Sequence, residues 1–140
     1  MRLEQHRLRV ATDGPGLYEI TAEVATWAAR QGISRGLLTA FLPHTSASLL
    51  IQENADPDVR TDLAAALARV APEDGGWVHD AEGPDDMPAH VKTMFTGISL
   101  HVPVRAGVLA LGAWQGIYVA EHRARPHGRE VVLQFIGTRQ

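Results

Sequence analysis

The chain of 140 residues carries a formal net charge of −3, from 13 Lys and Arg residues against 16 Asp and Glu residues. Its 45% hydrophobic and 21% charged content is typical of a globular protein, and the length predicts a single domain over residues 1–140. The absence of cysteine excludes disulfides, thiolate metal ligands and a cysteine nucleophile. Without a basic surface, a long apolar run or an apolar leader, we expect a cytoplasmic protein that binds neither nucleic acid nor membranes.

The first half of the chain predicts three strands and one helix. Residues 2–12 alternate polar and apolar side chains as a half-exposed strand does, and a turn containing Gly and Pro follows at 13–16. The helical period then places four apolar side chains on one face of a helix that ends near Gly32, namely Leu17, Ile20, Val24 and Trp27. Apolar runs at 36–43 and 47–53 predict two strands paired as a hairpin, the first of them covered on both faces.

The second half predicts two more helices and then a series of strands. Asp56 is expected to cap a helix that begins at Pro57 and continues to about Ala71. The polar segment 72–86 is long for a loop, and loops of this length are often functional. Met87–Pro88 opens a shorter helix to about Thr96, whose inward side is predicted as Val91, Met94 and Phe95. Helices and strands do not alternate regularly, which favours an α+β fold with further strands at 98–104, 108–111, 117–123 and 130–136.

Seven histidines are the feature that overall composition does not explain. His6, His101 and His127 lie in ordinary surface contexts, His127 in a Pro-His-Gly turn. The other four lie at turns or at element ends, where sites are often built, and they are His44, His79, His90 and His122. Histidine with carboxylate suits a divalent metal, because imidazole nitrogen binds zinc and carboxylate oxygen binds magnesium. The spacing matches no known ligand motif, so the alternative is that these rings hydrogen-bond backbone groups in the core.

Backbone geometry limits how one site can combine these residues. Successive side chains of a strand point to opposite faces, so Glu121 and His122 cannot serve one pocket from a regular strand. His90 and Lys92 likewise lie about 200° apart around their helix. Either one residue of such a pair is structural, or the two serve different layers or different subunits. Asn54, just before the helix cap, is available to hydrogen-bond a ligand.

Three long segments of the chain are distinctive: HTSASLLIQENADPDVRTDL from His44, HDAEGPDDMPAH from His79 and LGAWQGIYVAEHR from Leu111. Together they resemble the YjbQ family, also called secondary thiamine-phosphate synthases, in the family's order and over nearly the whole chain. The resemblance implies a compact, mostly antiparallel, sandwich-like sheet packed with two or three helices, assembled as a homotrimer. It also implies a transferase of thiamine biosynthesis, which joins hydroxymethylpyrimidine diphosphate to thiazole phosphate and releases pyrophosphate at a histidine- and acid-lined site between subunits.

The resemblance also implies roles for individual residues. Catalytic roles fall on His44, Asn54, His90, Lys92, Gln115, Glu121 and His122. A divalent metal, Mg or Zn, is the implied cofactor, and its histidine ligands are His44, His90 and His122. The residues expected to hold magnesium and the phosphate oxygens are Glu82, Asp85, Asp86 and Arg123, with Lys92 as a second cation for phosphate. The pattern also falls on Thr45, Asp56, His79 and Trp114, and the chain departs from it at Trp77, Ala113 and Ala120.

Two other functions agree with the same residues. One is a metal-dependent hydrolase of a phosphorylated metabolite, in which the histidines hold a metal-bound water. The other is a non-catalytic trimer that binds a small anion or metabolite. Substrate turnover separates the transferase and the hydrolase from the non-catalytic trimer. The ratio of hydrolysis to thiamine phosphate formation separates the transferase from the hydrolase.

Overall fold

Eight strands and three helices follow one another along residues 1–139, the part of the chain that the computed structural model describes. In chain order they are β1 Arg2–Asp13, β2 Gly16–Glu19, α1 Thr21–Ala29, β3 Arg35–Phe41, β4 Ala47–Glu53, α2 Pro57–Val70, α3 Asp86–Thr96, β5 Ser99–Arg105, β6 Val108–Leu109, β7 Gln115–Glu121 and β8 Pro126–Thr138. Among these residues, no helix is long and apolar enough to cross a membrane.

The strands form two antiparallel sheets. The larger sheet has five strands in the order β1-β8-β3-β5-β6, and the smaller sheet has three in the order β2-β7-β4. The longest pairing joins β1 to β8 over twelve residue pairs, from Arg2 opposite Gly137 to Asp13 opposite Pro126. The predicted α+β class, with antiparallel sheets packed as a sandwich and three helices, is confirmed.

One hydrophobic core lies between the two sheets. The larger sheet contributes Leu38 from β3 and alternate residues of β8, Val131, Leu133 and Phe135. The smaller sheet contributes Leu49, Ile117 and Val119, and α1 covers the core with Val24 and Ala28. Because strand side chains alternate between faces, the opposite face of the smaller sheet is left for α2 and α3, and the candidate site lies on that side.

Leu17 does not belong to a helix, as the sequence predicted, but to strand β2. Residues Gly16–Glu19 pair with residues 118–121 of β7, and α1 begins only at Thr21. The helical spacing of Leu17 with Ile20 was therefore fortuitous. Backbone hydrogen bonds to a neighbouring strand outweigh the weak helical preference of a four-residue segment.

The predicted hairpin between residues 36–43 and 47–53 is wrong, because β3 and β4 belong to different sheets. Strand β3 has β8 on one side and β5 on the other, so neither of its edges is open to β4. Strand β4 pairs with β7 instead. The prediction that β3 is covered on both faces is also wrong, since Leu38 and Ala40 are buried while Phe41 is exposed. The connection 42–46 carries His44 from one sheet to the other.

Helices α2 and α3 begin at or next to the predicted positions but pack differently. Asp56 caps α2, and its Oδ1 accepts a hydrogen bond of 2.9 Å from the Asp58 N–H. No residue of α2 is fully buried. In α3 the buried residues are Asp86, Pro88 and Ala89, whereas Met94 and Phe95, predicted to point inward, are 76% and 66% exposed. His127, predicted in a turn, lies in β8 opposite Thr12.

Candidate functional site

Three side chains at the start of α3 form what we call the His–Asp–His cluster: His79, Asp86 and His90. The Asp86 Oδ2 atom lies 2.7 Å from His79 Nε2 and 3.1 Å from His90 Nε2. Asp86 and His90 are one helical turn apart on α3, and the loop after α2 brings His79 beside them. One ligating atom from each residue lies within 4.8 Å of the other two, which is close enough for the three to share one metal ion.

The hydrogen bonds of His90 fix which ring nitrogen carries the hydrogen of a neutral ring. Its Nδ1 lies 2.9 Å from the Thr45 carbonyl oxygen, which can only accept, so Nδ1 carries a hydrogen. In a neutral ring Nε2 then presents its lone pair to the Asp86 carboxylate, 3.1 Å away. Two acceptors at this distance repel each other unless a positive charge joins them, and a second ring proton or a metal ion provides that charge.

Arg123 binds the acidic loop from the opposite side of Asp86. Its Nη1 donates to Asp86 Oδ1 at 2.6 Å, its Nε donates to Asp85 Oδ2 at 3.0 Å, and its Nη2 donates to the Glu82 carbonyl at 3.0 Å. The structure therefore brings together Glu82, Asp85, Asp86 and Arg123, which the sequence predicted as one binding set. Burial works against ionisation of both aspartates, but their hydrogen bonds and the Arg123 charge lower the pKa of each below its ordinary value. The same bonds raise the pKa of Arg123.

Glu121 lies between the sheets in what we call the buried ion-pair network, with Thr12, Ser46 and Arg129. Its carboxylate accepts hydrogen bonds from Thr12 Oγ1 at 2.6 Å, from Arg129 Nε and Nη2 at 2.7 and 2.6 Å, and from two backbone N–H groups at 3.0 Å. Burial favours the protonated form, but the bonds to Arg129 and Thr12 outweigh it and lower the pKa of Glu121 to about 2. Five donors engage this carboxylate fully, so its contacts support a positioning role.

His44 borders the same network. Its Nε2 accepts a hydrogen bond of 3.0 Å from the Glu130 N–H, and its Nδ1 lies 3.4 Å from Arg129 Nη1. Burial and the neighbouring Arg129 charge lower the pKa of His44, which favours the neutral ring. The predicted metal set of His44, His90 and His122 does not meet within the described residues of one chain, and that set stays a prediction.

His122 begins a relay of side chains that ends on α3. Its Nε2 lies 2.8 Å from Ser48 Oγ, Ser48 Oγ lies 2.5 Å from Thr96 Oγ1, and Thr96 Oγ1 lies 2.7 Å from the Lys92 carbonyl oxygen. Burial, with the Lys92 charge nearby, lowers the pKa of His122 to about 4, so the ring is neutral near pH 7. As the sequence predicted, Glu121 and His122 serve opposite sides of the smaller sheet.

Asn54 and Gln115 lie at the other end of the smaller sheet. Asn54 Nδ2 donates to the Gln115 carbonyl at 3.4 Å, and Gln115 Oε1 accepts from the Gly112 N–H at 2.8 Å. Gln115 and His122 are seven positions apart along β7 and its exit, which corresponds to about 23 Å at roughly 3.3 Å per residue. A single chain therefore does not bring these two predicted residues to the histidines.

Sequence reasoning missed Arg129 and the hydroxyl groups of Ser48 and Thr96. The strand pattern does contain a signal for Arg129, because alternate residues of β8 lie on one face and Arg129 lies on the same face as the buried residues Val131, Leu133 and Phe135. A buried arginine requires a buried acid as partner, and Glu121 is that acid. Ser48 and Thr96 have no such signal, since their contact joins β4 to α3, 48 residues apart.

The fold and the site define a class of small sandwich proteins with histidine and carboxylate side chains at one end of the smaller sheet. The family profile described as "UPF0047 protein YjbQ-like" matches residues 6–138. The chain is 48% identical to a UPF0047 protein of Synechocystis over 97% of this chain and 93% of that protein. It is 39% identical to the UPF0047 protein YjbQ of Escherichia coli O157:H7 over 95% of this chain and 97% of that one.

Solved structures agree with this relationship. A hypothetical protein from Aeropyrum pernix K1 superposes with a TM-score of 0.88 at 30% identity, over 96% of this chain and 98% of that one. A conserved hypothetical protein from Thermus thermophilus has a TM-score of 0.84 at 36% identity, over 94% and 99%. The chain belongs to the YjbQ/UPF0047 family, as its sequence predicted.

Proposed function

We propose that this chain is a metal-dependent enzyme of phosphorylated small molecules, and that its reaction is the condensation of hydroxymethylpyrimidine diphosphate with thiazole phosphate. The ion is zinc or magnesium, held by His79, Asp86 and His90. The observation that supports the proposal most directly is the 3.1 Å contact between His90 Nε2 and Asp86 Oδ2. We propose a cytoplasmic location for this activity.

The donor set and its surroundings fit a metal ion. Two imidazole nitrogens with one carboxylate oxygen are typical zinc ligands and leave further coordination positions for water or substrate. His90 donates its other ring N–H to the Thr45 carbonyl, and Arg123 binds the second Asp86 oxygen. Such outer contacts orient metal ligands in known sites. When bound, the ion supplies positive charge for the oxygens of a leaving diphosphate.

The chain's own side chains supply the other requirements of the condensation. In that reaction the thiazole nitrogen forms a bond to the pyrimidine methylene carbon, while the bond from that carbon to the diphosphate oxygen breaks and its electron pair leaves with pyrophosphate. In the described part of the chain, the Lys92 ammonium makes no ion pair, so it is available to a phosphate. Arg123 is already engaged by Asp85 and Asp86, which gives it a positioning role.

A second candidate function is hydrolysis of a phosphorylated metabolite. The observation that favours it is the composition of the His–Asp–His cluster, because two histidines and one carboxylate are the ligands of many zinc hydrolases. In this case water, rather than the thiazole nitrogen, is the nucleophile. The two reactions share the cluster and Lys92 but yield different products.

We further propose that the active form is a homotrimer whose sites lie between subunits. The separation of Asn54 and Gln115 from the histidines along the smaller sheet, about 23 Å at roughly 3.3 Å per strand residue, supports this arrangement. A neighbouring copy that presents its Asn54 end to the His122 end would bring Asn54 and Gln115 to Lys92 and His122. Light scattering of the purified protein measures the mass of the assembly, which is expected to be three times that of one chain.

Metal binding is the first experiment. Protein stripped with EDTA and titrated with zinc in a calorimeter is expected to bind about one ion per chain. We expect Asp86→Asn and His90→Gln to weaken zinc binding at least 10-fold, because outer contacts alone are typically worth 10- to 100-fold in metal affinity and these residues are direct ligands. His101→Gln is the matched control, since the His101 side chain hydrogen-bonds Thr39 on the larger sheet, away from the cluster. Equal zinc affinity in all four proteins contradicts the proposed site.

The reaction assay follows on the metal-loaded protein. Incubation with hydroxymethylpyrimidine diphosphate and thiazole phosphate is expected to give thiamine phosphate and pyrophosphate, and His90→Gln is expected to abolish the product while circular dichroism stays unchanged. Release of phosphate from either substrate without thiamine phosphate favours the hydrolase. Zinc binding with no turnover of any phosphorylated compound leaves the non-catalytic binder.

A further inference from the structure

The outer face of the smaller sheet and helix α2 enclose a groove that the His–Asp–His cluster does not line and that meets the ion-pair network only at Glu121. A cavity of about 350 Å³ lies between them, and adjoining it is a more polar cavity of about 560 Å³. Lys92 and His122 line both cavities, so they stand where the two meet. We call the combined space the α2 groove. Its volume lies within the range of roughly 300–1,000 Å³ that small-molecule sites occupy.

The first cavity is apolar and only partly filled by protein. Helix α2 lines it with Leu63, Leu67 and Val70, and the sheet lines it with Leu17 and Leu50. These apolar side chains face one another across the cavity, and for this reason no residue of α2 is fully buried. Covering such a surface with an apolar group of about ring size gains free energy in proportion to the area removed from water.

The hydroxyl relay determines what His122 offers to the groove. The Lys92 carbonyl can only accept, so the Thr96 hydroxyl hydrogen is used there and Thr96 Oγ1 must accept from Ser48. Ser48 therefore has no hydrogen for His122, and the ring donates its Nε2–H to Ser48 Oγ. The opposite assignment would leave Thr96 Oγ1 and the Lys92 carbonyl as two acceptors 2.7 Å apart. Nδ1 thus keeps its lone pair, and it has no protein partner within the described residues.

We infer that the α2 groove binds a small organic anion whose apolar, ring-sized body lies between α2 and the smaller sheet, whose charged group contacts Lys92, and whose N–H or O–H donor is accepted by His122 Nδ1. The position of Lys92 supports this occupant, because Lys92 is the only lysine of the chain, makes no ion pair among the described residues, and lines an apolar cavity whose one acid, Glu121, is paired with Arg129. The second cavity continues from Lys92 toward the start of α3 and carries three acids, Glu73, Asp74 and Asp85, so the anionic group is placed at Lys92 on the apolar side of the junction. The inference deepens the proposed function and rests on it only for the identity of the anionic group as a phosphate.

The test uses naphthylmethylphosphonate, which combines an apolar ring system with a non-hydrolysable anion, against methylphosphonate, which lacks the ring. Calorimetry is done on the full chain with EDTA present, so that binding through a metal does not contribute. We expect the naphthyl compound to bind at least 10-fold more tightly, with a negative heat-capacity change from the buried apolar surface. Lys92→Gln is expected to weaken binding of the naphthyl compound by about 10-fold or more, which is the lower end of the contribution of a charge-assisted hydrogen bond.

Two neighbouring alanines of α2 provide the matched variants. Ala66 lines the cavity, whereas Ala65, next in the chain, does not. Ala66→Trp fills the space and is expected to weaken the naphthyl compound at least 10-fold, while Ala65→Trp leaves its affinity within 2-fold. Ala64→Trp is a second filling variant, because Ala64 also lines the cavity, and it serves if Ala66→Trp does not fold.

The outcomes separate this inference from the proposed function. Equal affinity for the two phosphonates, or equal loss in Ala66→Trp and Ala65→Trp, overturns the groove as a ligand site even where zinc binds normally. Selective loss in the filling variants supports the groove even where the chain binds no metal.

Discussion

Asp86 and Glu121 are the two most deeply buried acids of the described chain, and they are held in opposite ways. Glu121 accepts all of its hydrogen bonds from fixed donors, among them Arg129, which lies on the neighbouring sheet. Asp86 is shared between Arg123 on one oxygen and two imidazole rings on the other. The Glu121 carboxylate has a complete set of donors, whereas the Asp86 carboxylate lies against His90 Nε2, where the contact requires a second ring proton or a metal ion.

The two carboxylates differ in whether their surroundings hold one fixed state or allow an ion to be exchanged. A carboxylate whose oxygens accept hydrogen bonds from permanent donors stays in one charge state and one position. Such a carboxylate can orient the neighbouring backbone, but it cannot exchange a ligand. An unsaturated contact, such as that of Asp86 with His90, can gain or lose an ion. Glu121, His122 and Arg123 are consecutive in the chain, yet they serve the ion-pair network, the α2 groove and the acidic loop respectively.

The largest effect is expected from breaking the saturated pair. Arg129→Met leaves Glu121 charged and buried without its main partner, and removal of one member of a buried pair costs about 3–5 kcal/mol of unfolding free energy. Arg7→Met is the control, because Arg7 makes its 3.0 Å ion pair with Glu130 on the exposed surface and is expected to cost at most about 1 kcal/mol. Urea unfolding measures both, and similar losses would show that the network is no more than a surface pair.

The second effect is the acid response of the same network. Glu121 has a pKa of about 2 in the folded chain against 4.5 as its ordinary value. Its stabilising contribution is therefore complete above about pH 4.5 and is lost as the pH falls through about 2, a total of about 3 kcal/mol at 1.36 kcal/mol per unit. The double variant Glu121→Gln/Arg129→Met has neither charge and is expected to lack this part of the decline.

Urea unfolding at several values between pH 5 and 2 measures that difference. Parallel curves for the wild-type chain and the double variant would contradict the assignment of the low pKa to Glu121. The remaining slope, common to both proteins, then belongs to Asp85, Asp86 and the other acids.

The sequence predicted elements with a strong local signal and failed where tertiary contacts decide. The cap at Asp56 and the strand 47–53 have local causes, a side-chain acceptor and a long apolar run, and both are present. The spacing of Leu17 fits a helix, but pairing with β7 places that segment in a sheet. Met94 and Phe95 follow the helical period of a buried face, yet the face of α3 that packs inward is set by Asp86 and its partners.

The site shows the same division. The acidic loop and Arg123 could be grouped from sequence through the family resemblance, and the structure brings them together. The separation of Asn54 from His122 could not be predicted from the sequence, because spacing along the chain does not say at which end of a sheet a residue lies. The alternation argument for Glu121 and His122 succeeded, since it depends only on strand geometry.

The smallest effect concerns His122, whose Nε2 has a hydrogen-bond partner in Ser48 while its Nδ1 has none among the described residues. Thr96→Val removes the hydroxyl that accepts from Ser48, with little change in shape, and is expected to cost about 1 kcal/mol, the usual contribution of one hydrogen bond. It also releases the Ser48 hydrogen, which can then be donated to His122 Nε2.

Nitrogen NMR of the His122 ring is expected to show Nε2–H in the wild-type chain at pH 7 and a raised population of Nδ1–H in Thr96→Val. Ser34→Ala, on the exposed surface, is the control and should leave both forms unchanged. A wild-type ring that is already protonated at Nδ1 would reverse the direction of the relay, and the groove would then present a donor rather than an acceptor to its ligand.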